Sequence, residues 1–299
     1  MTILAPNVAQ RAALPDTLAA MRQELDDRLA LVLPEPADER DLVCLAMRES
    51  TLAPGKRIRP LLLMMAAREL GYDEPDLVEL ACAVEMVHSA SLILDDMPCM
   101  DDAALRRGRP TIHRHFGEDV AVLASVALLS QAFRVVASLP GVPPTTRNRL
   151  VASLAGVVGT QGLVRGQYRD LREGTGQRRP EDILDTNELK TGVLFGTALE
   201  MAGLISGASD MMRQSLRNFA LELGQAFQLY DDLQDTCESQ KTGKDSGKDL
   251  GKSTLLALLG REEVIRRLRA HVEAADAELT RVYGTDGLMS LYMNEMFGR

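Results

Sequence analysis

At 299 residues the chain is long enough for one large domain or two ordinary ones, and a hydrophobic content of 45% is ample for a core. Lys and Arg number 34 against 43 Asp and Glu, a net charge of −9, which argues against nucleic acid as the main partner but leaves room for local basic clusters that hold an anion. The four cysteines (Cys44, Cys82, Cys99, Cys237) form no C-x-x-C pair, so the chain reads as reduced, intracellular and without a zinc site.

Ala, Leu, Met, Arg and Glu fill most segments and alternating β-branched runs are missing, a pattern that predicts helices throughout. In chain order they are Asp16–Leu33, Ala37–Arg48, Arg57–Gly71, Pro75–Asp96, Asp119–Ser138, Thr145–Leu171, Glu181–Ser206, Asp210–Cys237, Glu262–Tyr283 and Asp286–Met296. Breakers fall between them: Pro34 and Pro36, Pro54-Gly55, Gly71, Gly108 and Pro110, Pro140 to Pro144, Gly174 to Pro180, and the glycines from Gly243 to Gly251. The N-terminus shows no basic leader before a sustained apolar run, so no secretory signal is expected. The longest apolar stretch, Val120 to Leu129, is too short to span a bilayer and reads as a buried helix. No low-complexity linker or solenoid-length repeat divides the chain, so one all-α domain over residues 1–299, cytoplasmic and without an integral membrane segment, is the economical expectation.

The densest chemistry lies in His88 to Thr111. Asp95, Asp96, Asp101 and Asp102 end an apolar run, and Arg106 and Arg107 follow within a few residues. Close carboxylates repel unless a cation sits among them, and a hard dication such as Mg²⁺ takes oxygen ligands while keeping phosphates as others. Arginine's planar fork suits the phosphates themselves. On an ideal helix Asp95 and Asp101 would point about 120° apart. Pro98 lies between them, removes a helical hydrogen bond, and is expected to break or bulge the chain so that Asp101 comes round to Asp95.

A second acidic cluster, Phe227-Gln228-Leu229-Tyr230-Asp231-Asp232-Leu233-Gln234-Asp235, puts Asp231 and Asp235 one turn apart on one helix face, with Gln228 beside them. Taken alone it would read as a solvated acidic face; two such clusters in one helical chain are hard to reconcile with chance. Basic groups gather in three places. Gly55-Lys56-Arg57-Ile58-Arg59-Pro60 opens a helix, where free N–H groups and the dipole add to anion binding. Arg106 and Arg107 follow the first acidic cluster, and three Gly-Lys pairs ending at Lys244, Lys248 and Lys252 follow the second. His88 lies two turns before Asp95 and by itself would read as a satisfied core histidine. His113 and His115 read as residues that hydrogen-bond a loop, and Lys190-Thr191-Gly192 interrupts an apolar helix with a cation and a hydroxyl.

Together these residues resemble the trans-isoprenyl diphosphate synthases, the all-α prenyltransferases. The resemblance runs in order over most of the chain: G-K-R-I-R-P, D-D-M-P-C-M-D-D, R-R-G-R-P-T-I-H, K-T-G, F-Q-L-Y-D-D-L-Q-D and G-K-S-T. In wording it is closest to the bacterial geranylgeranyl diphosphate synthases of carotenoid pathways. The resemblance implies a large helical bundle around a central cavity, a homodimer, and condensation of isopentenyl diphosphate with an allylic diphosphate (dimethylallyl, geranyl or farnesyl) through ionisation, alkene attack and proton loss. It further implies two or three Mg²⁺ ions. Asp95 and Asp101, supported by Asp96 and Asp102, hold one side of them, and Asp231 with Asp232 and Asp235 holds the other. By the same resemblance Arg106, Lys190, Lys244 and Lys252 grip the allylic diphosphate, while Lys56, Arg59, His88 and Arg107 grip that of isopentenyl diphosphate. Thr191 and Gln228 turn oxygens toward the carbocation, and the leaving diphosphate serves as base. Ala90 and Ser91, just before the first acidic cluster, are both small and should leave the pocket open to a twenty-carbon product. A farnesyl or longer-chain synthase, a class I terpene cyclase and a non-catalytic subunit of such a synthase are the rival readings.

Overall fold

The computed structural model describes residues 8–173, 179–235, 255–285 and 287–298. The Gly-Lys segment with Lys244, Lys248 and Lys252 falls outside them.

Helix follows helix because each carries an apolar face or, in the centre, apolar residues all round. Helix α1 (Val8–Val32) starts earlier than the pattern suggested and runs through Pro15, which removes one backbone bond near the start of a long helix. Next come α2 (Leu42–Leu52), α3 (Ile58–Glu69) and α4 (Pro75–Asp95). The Asp41 side chain accepts from the Cys44 N–H at 3.3 Å and so starts α2 five residues later than Ala37. A two-residue hairpin, β1 (Leu105–Arg106) with β2 (Arg109–Pro110), interrupts the helices and leads into α5 (Ile112–Phe116) and α6 (Glu118–Ala137). The expected single helix from Thr145 to Leu171 is two, α7 (Pro144–Val158) and α8 (Leu163–Glu173). The chain folds back at Gly162 so tightly that a Cβ there would lie 2.1 Å from the Val157 carbonyl oxygen, room that only glycine leaves.

The expected helix Glu181–Ser206 is also composite. It comprises α9 (Pro180–Asn187), a π-turn over Glu188–Gly192, and α10 (Val193–Ile205). Helices α11 (Asp210–Asp235), α12 (Leu255–Leu259), α13 (Arg261–Tyr283) and α14 (Leu288–Met296) complete the described chain. Helices α3, α4 and α10 are buried on nearly every side, while α1, α6, α7, α11 and α13 surround them and turn polar faces outward. A smaller apolar cluster of Ile183, Leu229, Leu233, Leu255 and Val264 ties α9, α11, α12 and α13 together beneath the second acidic segment. By length and composition α4 and α6 could cross a membrane. The apolar window of α4 is 72% buried inside the fold, however, as befits a core helix, and that of α6 is 44% buried.

Candidate active site

The first acidic cluster forms where α4 stops. The Asp101 N–H donates to the Asp95 carbonyl at 2.9 Å, Asp102 N–H to Met97 at 3.0 Å and Ala103 N–H to Asp96 at 3.1 Å. These bonds close the orphan carbonyls of the helix end by folding the Asp96–Asp102 segment back over it. Pro98 therefore ends the helix rather than bending it, and the return brings Asp101 against Asp95 as expected.

Asp95 is partly buried and its carboxyl is pushed up to about 6. Burial is the main cause and the charges of Asp101 and Asp96 add to it, while Lys190 and Arg106 pull the other way. Asp96 is buried (4% exposed) and held by Arg106, whose Nε lies 3.0 Å from both carboxylate oxygens and whose second nitrogen lies 2.5 Å from one. Asp102 turns outward to Arg114 on α5 at 3.4 Å.

Three non-glycine residues among those described have positive φ, and all three lie here: Arg57 (φ 53°), Asp102 (φ 45°) and Arg107 (φ 54°). Such conformations are strained for side chains with a Cβ and gather at functional sites. Arg107 and Gly108 (φ 76°) form the two-residue turn of the hairpin, which requires positive φ at both positions. The turn separates the neighbouring arginines: Arg106 goes to Asp96, while the Arg107 guanidinium lies against Gly55, where a Cβ would fall 2.7 Å from it. The G-K-R-I-R-P segment opens α3 as expected. Its Arg57 is a strut, with a side chain 1% exposed that bonds Asp26 of α1 at 2.9 Å and the buried Glu85 of α4 at 2.5 Å.

That strut leaves the other cations free to face one another. Arg59 stacks on Phe195 of α10, 4.5 Å from the ring centroid, and its Nε is buried without a hydrogen-bond partner among the described residues. Burial, only partly offset by Glu85 and deepened by Arg107, lowers Arg59 to about 10. Burial and the charges of Arg59, Arg107, Arg106 and Arg57 hold His88 well below its ordinary value, so it is neutral and can donate one N–H. Lys56 is exposed on the loop leading into this cluster. Of the four residues expected to share one diphosphate, Arg59, His88 and Arg107 lie close enough to act on one another's charge, while Lys56 is placed only by its neighbours in sequence.

Lys190 of the π-turn reaches the acidic side. Its ammonium donates to Asp170 of α8 at 2.8 Å, and although burial works against it, Asp170, Asp95 and Asp101 hold it above its ordinary value. The backbone of Thr191 lies in the same turn. On α11 the Gln228 amide donates to Asp232 at 2.9 Å, and Asp231 is half-buried beside it. Asp235 ends the helix. Among the described residues no three His, Cys, Asp or Glu side chains converge into a ready-made metal cage. A cleft of about 580 Å³ near Leu45, Glu49, Arg109 and His115 includes none of the residues expected to act. His113 hydrogen-bonds locally, to Thr111 at 3.2 Å, whereas His115 reaches Glu49 of α2 at 3.0 Å and so ties α5 to a distant helix rather than to a loop.

Glu85, Phe195, Asp170 and the helix-packing glycines Gly166 and Gly224 were not foreseen. A lone Glu three residues before His88 in an apolar helix was the available signal for Glu85, since a buried carboxylate needs a cation. Asp170 carries no such signal, because its partner is twenty residues away in sequence.

The polyprenyl synthetase family profile matches residues 41–283. The chain is 51% identical over 283 residues to the geranylgeranyl diphosphate synthase of Pseudescherichia vulneris, covering 94% of this chain and 91% of that one. It is 54% identical over 267 residues to the geranylgeranyl diphosphate synthase of Pantoea ananas, covering 89% and 87%. In three dimensions it superposes with a TM-score of 0.84 on the geranyltransferase of Helicobacter pylori complexed with magnesium and isoprenyl diphosphate. That protein is 25% identical, with 100% of both chains covered.

Proposed function

The chain belongs to the polyprenyl synthetase family, and on that premise we propose that it is a magnesium-dependent prenyltransferase making all-E geranylgeranyl diphosphate from isopentenyl diphosphate and an allylic diphosphate. The observation that carries this reading is the placement of Arg59, a partly buried cation whose buried Nε has no protein partner among the described residues, within a cluster of arginines beside crowded carboxylates. Two unlike charged regions side by side suit two diphosphates held in two ways.

Lys56, Arg59 and Arg107 bind the isopentenyl diphosphate through charge, and neutral His88 adds one N–H donor. Lys190 holds the allylic diphosphate, and Arg106, already braced on Asp96, presents its remaining N–H groups to it. Lys244 and Lys252 are assigned to the same diphosphate by resemblance. Thr191 and Gln228 orient oxygens toward the allylic carbons as positive charge develops there. No side chain is needed as base, because the departing diphosphate can take the proton lost after alkene attack.

The donor set fits magnesium. It is all oxygen, and its central member, Asp95, is a carboxylate whose burial and neighbours disfavour its charge in the absence of a cation. Asp95 and Asp101 on one side, and Asp231 with Asp232 and Asp235 on the other, would hold two or three ions, with Asp96 and Asp102 supporting. Bound magnesium supplies positive charge to the leaving diphosphate.

The names of the two bacterial relatives and the small side chains at Ala90 and Ser91 support a twenty-carbon product. A single domain, a homodimer and a cytoplasmic location complete the proposal. An exposed apolar stripe of Val122, Leu123 and Val126 on α6 supports the dimer, and free thiols at Cys44, Cys82 and Cys99 support a reducing compartment. Chromatographic sizing of the product from dimethylallyl or farnesyl diphosphate with isopentenyl diphosphate and Mg²⁺ tests the whole reading. Geranylgeranyl diphosphate is expected. A fifteen-carbon or longer product overturns the chain length. Failure to consume isopentenyl diphosphate overturns the reaction and favours a cyclase or a non-catalytic subunit.

A further inference from the structure

We propose that Gly166 of α8 and Gly224 of α11 are positioning residues that seat the π-turn carrying Lys190 and Thr191. The proposal rests on the reading of that turn as part of the allylic diphosphate site. A Cβ at Gly166 would fall 2.6 Å from the Lys190 nitrogen, 2.7 Å from the Leu189 carbonyl carbon and 2.9 Å from its oxygen. These are main-chain atoms, so no rotamer change relieves the clash and the turn itself must move. From α11, a Cβ at Gly224 would lie 3.0 Å from the Gly192 Cα. One helical turn further along the same seam Gly196 meets Ala220 at an ordinary 4.0 Å, so the very close approach is confined to the π-turn.

Glycine destabilises a helix interior relative to alanine, and neither Gly166 nor Gly224 has the positive φ that would otherwise require it. Close packing on the turn is what each position gains. Residue i+4 from Gly166 on the same helix face is Asp170, which accepts the Lys190 ammonium at 2.8 Å. Helix α8 thereby fixes both ends of one residue: Gly166 sets the backbone of Lys190 and Asp170 the tip of its side chain. A π-turn is a rare, costly insertion that is frequently functional, and here two helices approach its backbone closely.

The test uses Gly166→Ala and Gly224→Ala, with Gly156→Ala in α7 as control, because a Cβ at Gly156 meets nothing within 4 Å. Three readouts are needed: thermal melting by circular dichroism, calorimetric binding of inorganic pyrophosphate with Mg²⁺, and steady-state kinetics with both substrates. Gly166→Ala is expected to fold, to bind pyrophosphate about tenfold more weakly and to lose about a hundredfold in kcat, as a misplacement near 1 Å does. Its KM for isopentenyl diphosphate should stay at the wild-type value, because Lys56, Arg59, His88 and Arg107 stand on other elements. Gly224→Ala should move in the same direction by less, and Gly156→Ala should match wild type. A folded Gly166→Ala with wild-type pyrophosphate affinity and kcat overturns the proposal, and so does an equal loss at both diphosphate sites, which would mark a merely structural glycine. If Gly166→Ala does not fold, Gly224→Ala decides: unchanged pyrophosphate affinity there overturns it. Wild-type protein that fails to consume isopentenyl diphosphate defeats the functional reading, while the pyrophosphate measurement still judges the glycines.

Discussion

The region around His88 and the region around Asp95 lie at two levels of the same helix, yet they are charged in opposite ways. Around His88 the charges of Arg57, Arg59 and Arg107 converge, with that of Arg106 reaching it from its pair with Asp96, and the carboxylates Glu85 and Asp26 are both bonded by Arg57. Around Asp95 the two cations already have carboxylate partners, Arg106 on Asp96 and Lys190 on Asp170, and the crowded charge is negative. A surplus of fixed cations can take an anion directly. A surplus of carboxylates can take one only when a cation comes with it. On the proposed function, one helix would thus offer one diphosphate site formed by the protein's own cations and one that needs an incoming cation to form.

Chelation is the strongest way to break this contrast. With magnesium removed by EDTA, turnover should vanish and pyrophosphate binding at the acidic region should be lost. Calorimetry should still detect isopentenyl diphosphate at the arginine cluster. Equal loss of both ligands would mean that the two regions do not differ in the way described.

A point change in the arginine cluster should have the next largest effect. Arg59→Lys keeps the charge but forfeits both the stack on Phe195 and the planar fork. The KM for isopentenyl diphosphate is therefore expected to rise about tenfold to 150-fold, one good charge-assisted contact being worth about 1.5–3 kcal/mol, with a smaller change in kcat. Kinetics at saturating allylic substrate measure this. A fall in kcat with KM unchanged would place Arg59 at the reacting carbons instead.

How far the site could be read from the chain follows the same division. The acidic pairs, the G-K-R-I-R-P segment and the paired arginines announce themselves because each is contiguous, and Pro98 announced that the helix could not continue. What the chain did not announce is what depends on distant partners. Lys190 is held by Asp170 and its turn is closely approached by Gly166 and Gly224, none of which lies in the segments singled out above, and Arg57 turned out to be a strut because Glu85 meets it from another helix. The break between α7 and α8 was legible in principle, since Gly156, Gly159 and Gly162 come close together, but apolar periodicity outweighed it. The π-turn had no such warning: a single inserted residue leaves helical composition unchanged. Lys244 and Lys252 lie outside the described residues, and of Asp235 only the backbone bears on the matter.

The floor of the acidic side offers a third, narrower measurement. Ala90 is fully buried on α4, one turn and a residue before Asp95. Ala90→Phe should fill the space below the acidic turn and shift the main product from twenty carbons to fifteen, as read by chromatography. An unchanged product profile would show that the growing chain does not pass Ala90.

The smallest effect is thermodynamic and concerns the carboxylate at the centre of the contrast. Asp95 titrates at about 6 in the fold against an ordinary 3.8, so the folded protein holds its proton more tightly than the unfolded chain does. A raised acid contributes no penalty below pH 4, and a growing one as pH climbs through 6, where the folded state must carry a charge that its surroundings disfavour. Asp95→Asn removes that charge. In EDTA the variant should therefore melt a few degrees above wild type at pH 7.5, a gain of about 1–2 kcal/mol once solvent screening is allowed for, and the two should converge near pH 4. Magnesium with pyrophosphate should reverse the order, because only wild type gains the full stabilisation of a bound ligand. A variant no more stable than wild type in EDTA would mean that the carboxylates are already at ease with one another, and the acidic region would then need no incoming cation to become a binding site.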